Sequence, residues 1–302
     1  MPSLTGETVG FIGLGLMGKP MARNLAAAGA AMVVHNRSTA PMDELAAENM
    51  TAAASPQAVG AAAKTVVMML SDTPAVETVL LGGGENSGGL IDAPLINAIG
   101  PGHLVIDMGT TAAMPTRAFA RAVAAKGGQY VDAPVSGGTI GADAGSLTIM
   151  AGGSDEAFAR AEPYLHVMGA HITHVGEVGA GQVAKAANQV IVGLTIGAVS
   201  EALALAKHAG VDPARVRDAL AGGFADSRIL EVHGQRMVSG EFAPGGKCTT
   251  QRKDLQQALD LAFEIGLELP TTDLTLSLYD RVIEQGWGDL DHAALFKLID
   301  EG

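Results

Sequence analysis

Apolar residues in the first half of the chain fall in short blocks separated by alanine-rich stretches. Candidate strands are Thr8–Ile12, Ala31–His35, Thr65–Leu70, Leu104–Met108, Tyr130–Asp132, Leu147–Ala151 and Ile172–Val175. Several are unbroken Val, Ile and Met runs rather than alternating ones, the pattern of strands covered on both faces. Between them, Pro20–Ala28 and Thr116–Ala125 carry helical spacing. Such alternation predicts crossover units and a mostly parallel sheet. After Gly176 the pattern changes to long helical periods without a convincing strand: Gln182–Ala209, Pro213–Ala221, Lys253–Ile265 and Thr272–Gln285. The expected architecture is an α/β domain over residues 1–176 and an all-α domain over residues 177–302, joined by a long helix. Gly82–Gly89 (GGGENSGG) reads as a surface loop, because it lacks the Lys-Ser/Thr ending of a phosphate cradle.

The joining helix carries the most informative residue. In GAGQVAKAANQVIVGLTIGAVS, from Gly179 to Ser200, Lys185 is the only charge. Helical spacing sets Asn188 and Gln189 on the same face. Burying a lone ammonium is costly unless an anion meets it or its pKa falls, so a lysine kept in such a run reads as functional. The alternative is a lysine whose head group reaches water from the first turn.

Composition then narrows the function classes. At 302 residues the chain is long enough for two domains, and 48% hydrophobic against 17% charged residues describes a globular protein. A net charge of −13 and only 4% aromatics argue against a nucleic-acid partner, leaving local basic pockets for a small anion. Cys248 is the only cysteine, which excludes an internal disulfide or a cysteine-based zinc centre and fits a reducing cytoplasm. It is read as a packing residue. The N-terminus lacks the pattern of a signal peptide, and the uncharged run Ala186–Ser200 is too short to span a bilayer. A soluble cytoplasmic protein is expected, with no membrane partner. His103, His166, His171, His174, His208 and His233 offer no complete ligand set, so no metal is assigned.

Two loops carry chemistry. Gly13, Gly15 and Gly18 form GLGLMG, with Leu14, Leu16 and Met17 between them, directly after the strand VGFI and before the helix KPMARNL. In that strand–turn–helix context the motif is a dinucleotide fingerprint: a tight turn, a close backbone approach to pyrophosphate, and amide donors at a helix start. An ordinary glycine-rich turn is the alternative. About twenty residues on, where an acid normally accepts the ribose hydroxyls of NAD, the chain has Asn36, Arg37, Ser38 and Thr39. No carboxylate is there to repel a 2′-phosphate and a guanidinium is there to bind it, so NADP(H) is expected over NAD(H). Arg37 as a solvated surface residue is the competing reading. The second loop is DAPVSGG, Asp132–Gly138, where Ser136 and the amides of Gly137 and Gly138 make a donor set suited to a carboxylate. The same residues could form a mere turn.

Taken together, FIGLGLMGKPMARNL, DAPVSGGTIGADAGSLTIMAGG, GAGQVAKAANQ and the KDL of Lys253–Leu255 resemble the β-hydroxyacid dehydrogenases, in the right order and over nearly the whole chain. Within that family KAANQVIVGLTIGAVSEAL, GGFADSRIL and DHAAL look most like the tartronate semialdehyde reductases. The resemblance implies a Rossmann-type N-terminal domain, a helical substrate and oligomerisation domain, and reversible hydride transfer on a small 3-oxo or 3-hydroxy acid. It implies Lys185 as the catalytic lysine, Asn188 as the substrate-orienting residue and Ser136, Gly137 and Gly138 as the carboxylate loop. It sets Leu70 and Ser71 over the adenosine half of the cofactor, with Thr110 and Lys253 on its nicotinamide side. It also implies a homo-oligomer, dimer or tetramer. Two departures stand out: Gly109 in DMGTT where relatives carry serine, and Ser71 where they carry proline, which suggests a more flexible loop. Competing readings are a 3-hydroxyisobutyrate or other 3-hydroxyacid dehydrogenase, an imine-reductase-like enzyme, and a non-catalytic dinucleotide-binding scaffold. Retention of Lys185 disfavours the last two.

Overall fold

The computed structural model describes residues 2–83 and 91–301. Of the glycine-rich loop expected at 82–89, residues 84–89 lie outside that set. Its first residue, Gly82, ends a helix with φ +97°, a conformation that favours glycine.

The unbroken apolar blocks become the middle of a sheet. β1 (Thr8–Ile12) is buried after its first residue, and β4 (Thr65–Met68) and β5 (Leu104–Asp107) are buried throughout. β2 (Ala31–His35), the two-residue β3 (Thr51–Ala52) and β6 (Gln129–Asp132) extend the parallel part, in the order β3-β2-β1-β4-β5-β6. Beyond β6 the direction changes. β8 (Leu147–Gly152) pairs antiparallel with β6 and with β7 (Val135–Ser136), and parallel with β9 (Gly169–Gly176). The two shortest strands, β3 and β7, hold too few residues to give a pattern in the sequence.

Alternate residues of each central strand serve opposite cores. Phe11, Val34, Val67 and Ile106 face Met21 and Leu25 of α1 (Gly18–Ala27) and Leu165 and Met168 of α7 (Asp155–Met168). Ile12, Val66 and Val105 face Val59 of α3 (Pro56–Ala62), Val76 and Leu80 of α4 (Thr73–Leu81), and Phe119 and Val123 of α5 (Ala113–Ala125). Two short helices, α2 (Ala40–Ala46) and α6 (Gly138–Asp143), complete this part of the chain.

Register decides where ligands can bind. Ile12 pairs with His35 and Met68, Met68 with Asp107, and Asp107 with Asp132, so the C-terminal ends of five strands line up in one row. The segments at 13–18, 36–38, 70–71, 110 and 136–138 all follow that row. Chain order reverses between β1 and β4, the switch point at which open α/β sheets hold ligands.

The helical part comprises α8 (Ala180–His208), α9 (Pro213–Leu220), α10 (Arg228–Ser239), α11 (Cys248–Glu264), α12 (Pro270–Glu284) and α13 (Leu295–Glu301). By contacts the chain divides into compact units Met1–Lys185 and Ala186–Gly302, a division that falls inside α8. In the second unit Ile196, Val199 and Leu203 of α8 pack with Leu230 and Met237 of α10, Leu255 of α11, Tyr279 and Val282 of α12, and Leu295 and Leu298 of α13. The helical periods read from the sequence include neither α10 nor α13. Ser227 caps α10 by accepting from the Leu230 amide, and Gly240 closes it at φ +70°.

With 29 residues and an 18-residue stretch of mean hydropathy 1.7, α8 is long and apolar enough to cross a membrane by length and composition alone. Its apolar character serves the helical core, where Ile196 and Leu203 are fully buried. Cys248 is also a packing residue. It is fully buried, its thiol donates to the Asp291 carbonyl at 3.3 Å, and burial pushes its pKa up to about 12. Trp287 packs against the same core, with the Lys297 ammonium 4.2 Å from its ring centre. Ile196→Ala is expected to cost about 2–5 kcal/mol, the usual range for a buried aliphatic truncated to alanine. Urea unfolding followed by circular dichroism measures it, with helix content unchanged before the transition.

Candidate active site

The glycine loop is built from backbone that admits no side chain. Gly13 has φ +99°, and a Cβ there would lie 2.3 Å from the Met69 carbonyl oxygen; one on Gly18 would lie 1.9 Å from the Gly13 carbonyl oxygen. Gly15 by contrast faces open space. Two glycines thus lock the turn and the third leaves room for a ligand against the backbone. The first turn of α1 contains no acidic residue and no side-chain cap, whereas Ser55, Asp72 and Ser154 cap α3, α4 and α7. Within α1 the Lys19 and Met21 amides donate to the Gly15 and Met17 carbonyls and Pro20 has no N–H, so the loop amides that lead into the helix are the ones that face an anion, and these residues fit a dinucleotide pyrophosphate.

At the end of β2 the side chains divide their roles. Asn36 does not project freely toward a ribose: its Oδ1 accepts from the Leu14 amide at 3.0 Å and its Nδ2 donates to Ser38 Oγ at 2.9 Å, so it braces the glycine loop. Arg37, Ser38 and Thr39 are exposed, and Arg37 makes no hydrogen bond or ion pair among the described residues. Leu70 adjoins the glycine loop, with its Cδ2 2.9 Å from where a Gly13 Cβ would lie. Ser71, expected to loosen its loop, instead donates to Asp72 Oδ2 at 2.9 Å while Asp72 caps α4.

Two buried acids support the loops after β5 and β6. Asp107 accepts from the Gly109 amide (3.1 Å) and from Tyr130 Oη (2.9 Å). Asp132 accepts from the Gly179 amide (2.7 Å) and the Gln182 amide (2.9 Å), which fastens the start of α8 to the end of β6. Gln182 clamps the segment that holds Thr110: its Nε2 donates to the Gly109 carbonyl at 2.9 Å and its Oε1 accepts from the Thr111 amide at 3.0 Å. A Cβ on Gly109 would approach the Leu70 carbonyl oxygen to 2.7 Å, so this backbone cannot take the serine of related sequences without shifting.

Lys185 is buried, 6% exposed, and its Nζ donates to the Val135 carbonyl at 2.8 Å. The snorkelling alternative is thereby excluded. Val135 directly precedes the expected carboxylate loop, where Ser136 is partly buried and Gly137 and Gly138 take φ values of +129° and +60°. The structure therefore brings the lysine and the loop side by side.

In the helical unit the polar residues form a second cluster. Asn188 donates to Gln189 Oε1 at 2.8 Å, Gln189 donates to Asp254 Oδ2 at 2.5 Å, and Lys253 Nζ lies 2.9 Å from Asp254 Oδ1. His233, Asp291 and His292 also lie close, with one potential metal-ligand atom from each within 4.8 Å of the others. Asp291 is already committed, however. Its Oδ2 lies 2.8 Å from Arg236 Nη1 and accepts from the Gly245 amide, and its Oδ1 accepts from the Ala293 amide. Burial raises its pKa, but hydrogen bonding to His233, the nearby His292 and the amides outweigh burial and hold it well below the usual carboxylate range. We read it as a structural anchor.

Residues 8–176 match the NAD binding domain of 6-phosphogluconate dehydrogenase, and residues 179–299 match the family described as NAD-binding of NADP-dependent 3-hydroxyisobutyrate dehydrogenase. The chain is 46% identical to 2-hydroxy-3-oxopropionate reductase of Escherichia coli K12, covering 97% of both chains. The chain belongs to the β-hydroxyacid dehydrogenase family. It is 35% identical to a 3-hydroxyisobutyrate dehydrogenase of Pseudomonas aeruginosa over 95% of each chain. Among solved structures, Mycobacterium tuberculosis 3-hydroxyisobutyrate dehydrogenase with L-serine superposes at a TM-score of 0.86 and 28% identity, covering 97% of this chain and 99% of that one. As a member of this family the protein is an NAD(P)-dependent oxidoreductase acting on CH–OH groups.

Membership does not reveal the supports of the site. Asp107, Tyr130, Gln182, Gln251 and Asp254 carry no motif of their own in the sequence, and Gln189 stood out there only as sharing a helix face with Lys185. The DAP of Asp132 was read only as the entry to a loop. Burial pushes Asp107 up to about 6 and Asp132 up to about 7, against the lowering effect of their hydrogen bonds. A carboxyl whose folded pKa lies above its unfolded value of about 3.9 favours the fold while protonated. For Asp107 that contribution is complete below about pH 4 and is lost as the pH rises through about 6. Asp107→Asn removes the titration and keeps an acceptor for Gly109. Between about pH 4 and pH 7 the wild type should lose roughly 2–3 kcal/mol more stability than Asp107→Asn in urea titrations. Parallel pH profiles would refute the assignment.

Proposed function

We propose that the protein is an NADP(H)-dependent reductase that interconverts a small 3-oxo acid and its 3-hydroxy acid, with tartronate semialdehyde as the oxo substrate. The observation that carries this reading is the buried Lys185 ammonium, 2.8 Å from the carbonyl of Val135 and hence beside Ser136. A buried cation next to a loop of amide donors suits a substrate that is both an anion and a carbonyl compound.

The nicotinamide cofactor supplies the hydride that reaches the carbonyl carbon. Ser136 Oγ and the amides of Gly137 and Gly138 hold the substrate carboxylate next to the Lys185 ammonium. Lys185 Nζ hydrogen-bonds the carbonyl oxygen, stabilises the developing alkoxide and gives it a proton; in oxidation it takes that proton back. Asn188, one turn further along α8, orients the substrate. The amides of residues 15–17 hold the cofactor phosphates, Arg37 and Ser38 bind its 2′-phosphate, and Leu70, Ser71, Thr110 and Lys253 border the rest of it.

The 46% identity to the E. coli 2-hydroxy-3-oxopropionate reductase supports the choice of substrate. Similarity to 3-hydroxyisobutyrate dehydrogenases favours methylmalonate semialdehyde as a second reading. Imine reductases share the fold at a TM-score of 0.62 and 23% identity, which carries no substrate argument. We assign the enzyme to the cytoplasm as a homo-oligomer. Ile191 and Leu205, 67% and 72% exposed on α8, support self-association through that face.

Lys185→Ala is expected to lower kcat by about 10²–10⁴-fold, while NADPH affinity from fluorescence titration stays within about twofold of wild type. An active Lys185→Ala enzyme would refute the mechanism. Arg37→Asp is expected to raise KM for NADPH by at least about tenfold and to leave that for NADH nearly unchanged. The cofactor assignment fails if the NADPH/NADH preference does not move.

A further inference from the structure

The hydrogen-bond chain in the helical unit has a polarity that only one arrangement satisfies. Asp254 is 3% exposed, has Lys253 Nζ 2.9 Å from its Oδ1, and accepts at Oδ2 from Gln189 Nε2 at 2.5 Å. A carboxylate beside an ammonium accepts and does not donate, so Gln189 must turn its NH2 group toward Asp254. Its Oε1 then points the other way and accepts from Asn188 Nδ2 at 2.8 Å. Asn188 thus commits its NH2 group to Gln189, and its Oδ1 becomes the end directed away from that partner. Gln251 fixes the middle of the chain: its Nε2 donates to the Gln189 carbonyl at 3.0 Å, and its Oε1 lies 3.4 Å from Gln189 Nε2 and 3.3 Å from His292 Nδ1. Gln189 and Gln251 are 8% and 1% exposed, so water does not compete for these groups.

We propose that Gln189, held by Asp254 and Gln251, is a positioning residue that fixes the Asn188 carboxamide with its oxygen toward the substrate. The fixed acceptor selects 3-oxo acids that carry a hydroxyl at C2 over those that carry a methyl group there. This rests on the assignment of Asn188 to the substrate made above. Hydroxyl and methyl groups are close in size, so shape alone separates them poorly. A hydroxyl donates to a fixed acceptor; a methyl group leaves that acceptor desolvated and unpaired. An Asn188 side chain free to rotate would lose this discrimination.

The test compares kcat/KM for tartronate semialdehyde, which carries the C2 hydroxyl, with that for methylmalonate semialdehyde, its C2-methyl counterpart. Gln189→Met removes the relay with little change in volume, and Asp254→Asn removes the group that sets its polarity should Gln189→Met not fold. Each is expected to lower the hydroxyl-to-methyl ratio by about tenfold, chiefly through the hydroxyl substrate. In an Asn188→Ala background, Gln189→Met should change that ratio no further, because it acts through Asn188. Equal losses on both substrates would reduce the relay to a structural role and overturn the proposal. If Asn188→Ala lowers the ratio but neither relay variant does, the proposal fails while the substrate assignment stands. If Asn188→Ala itself leaves both kcat/KM values unchanged, the assignment of Asn188 fails and takes the proposal with it.

Discussion

The carboxylate of Asp132 joins the sheet to the helix on which the chemistry depends. It closes β6 and accepts from the amides of Gly179 and Gln182, the first turn of α8. Donors at a helix start are unpaired within the helix, so a buried acid there supplies the hydrogen-bond acceptors they need. The approach is close enough to demand glycine on both sides. A Cβ on Gly152 would lie 2.7 Å from Asp132 Oδ1, and one on Gly181 would lie 2.4 Å from the Met150 carbonyl oxygen. Lys185, one turn further on, takes its position from this junction.

Lys185 then shows how a costly residue is accommodated. Its helix is apolar, its side chain is buried, and its Nζ bonds a backbone carbonyl rather than water. A carbonyl dipole offsets part of the desolvation of an ammonium. The bond to Val135 holds Nζ next to the Ser136–Gly138 segment. In the helical unit the ion pair of Lys253 and Asp254 plays a different part: it gives direction to a chain of neutral amides, which have no preferred direction of their own.

Much of the fold was legible in the sequence because its signals are local. β1 and β2 fall on the residues predicted for them, and α8 differs from its predicted span by two residues at the start and one at the end. Continuous apolar runs mark strands covered on both faces, and a glycine triplet after a strand marks a phosphate turn. Among the elements that escaped were β3 and β7, too short to show a period, and the helices α10 and α13. Asn36 was placed in the right loop, but its engagement with the Leu14 amide depends on a neighbour 22 residues away, which no local pattern reveals.

By itself the sequence determined the chemistry and its order along the chain: the glycine turn, the donor loop after β6, and a single lysine in an apolar helix. Those features rest on backbone sterics and hydrophobic periodicity, which act between near neighbours. The tertiary structure alone decided which groups support them. Gln182 clamps Gly109 and Thr111 from 71 to 73 residues away, and Gln189 meets Asp254 across 65. A buried hydrogen bond needs partners within about 3 Å in a fixed direction. Only packing, by bringing remote segments into register, sets that distance.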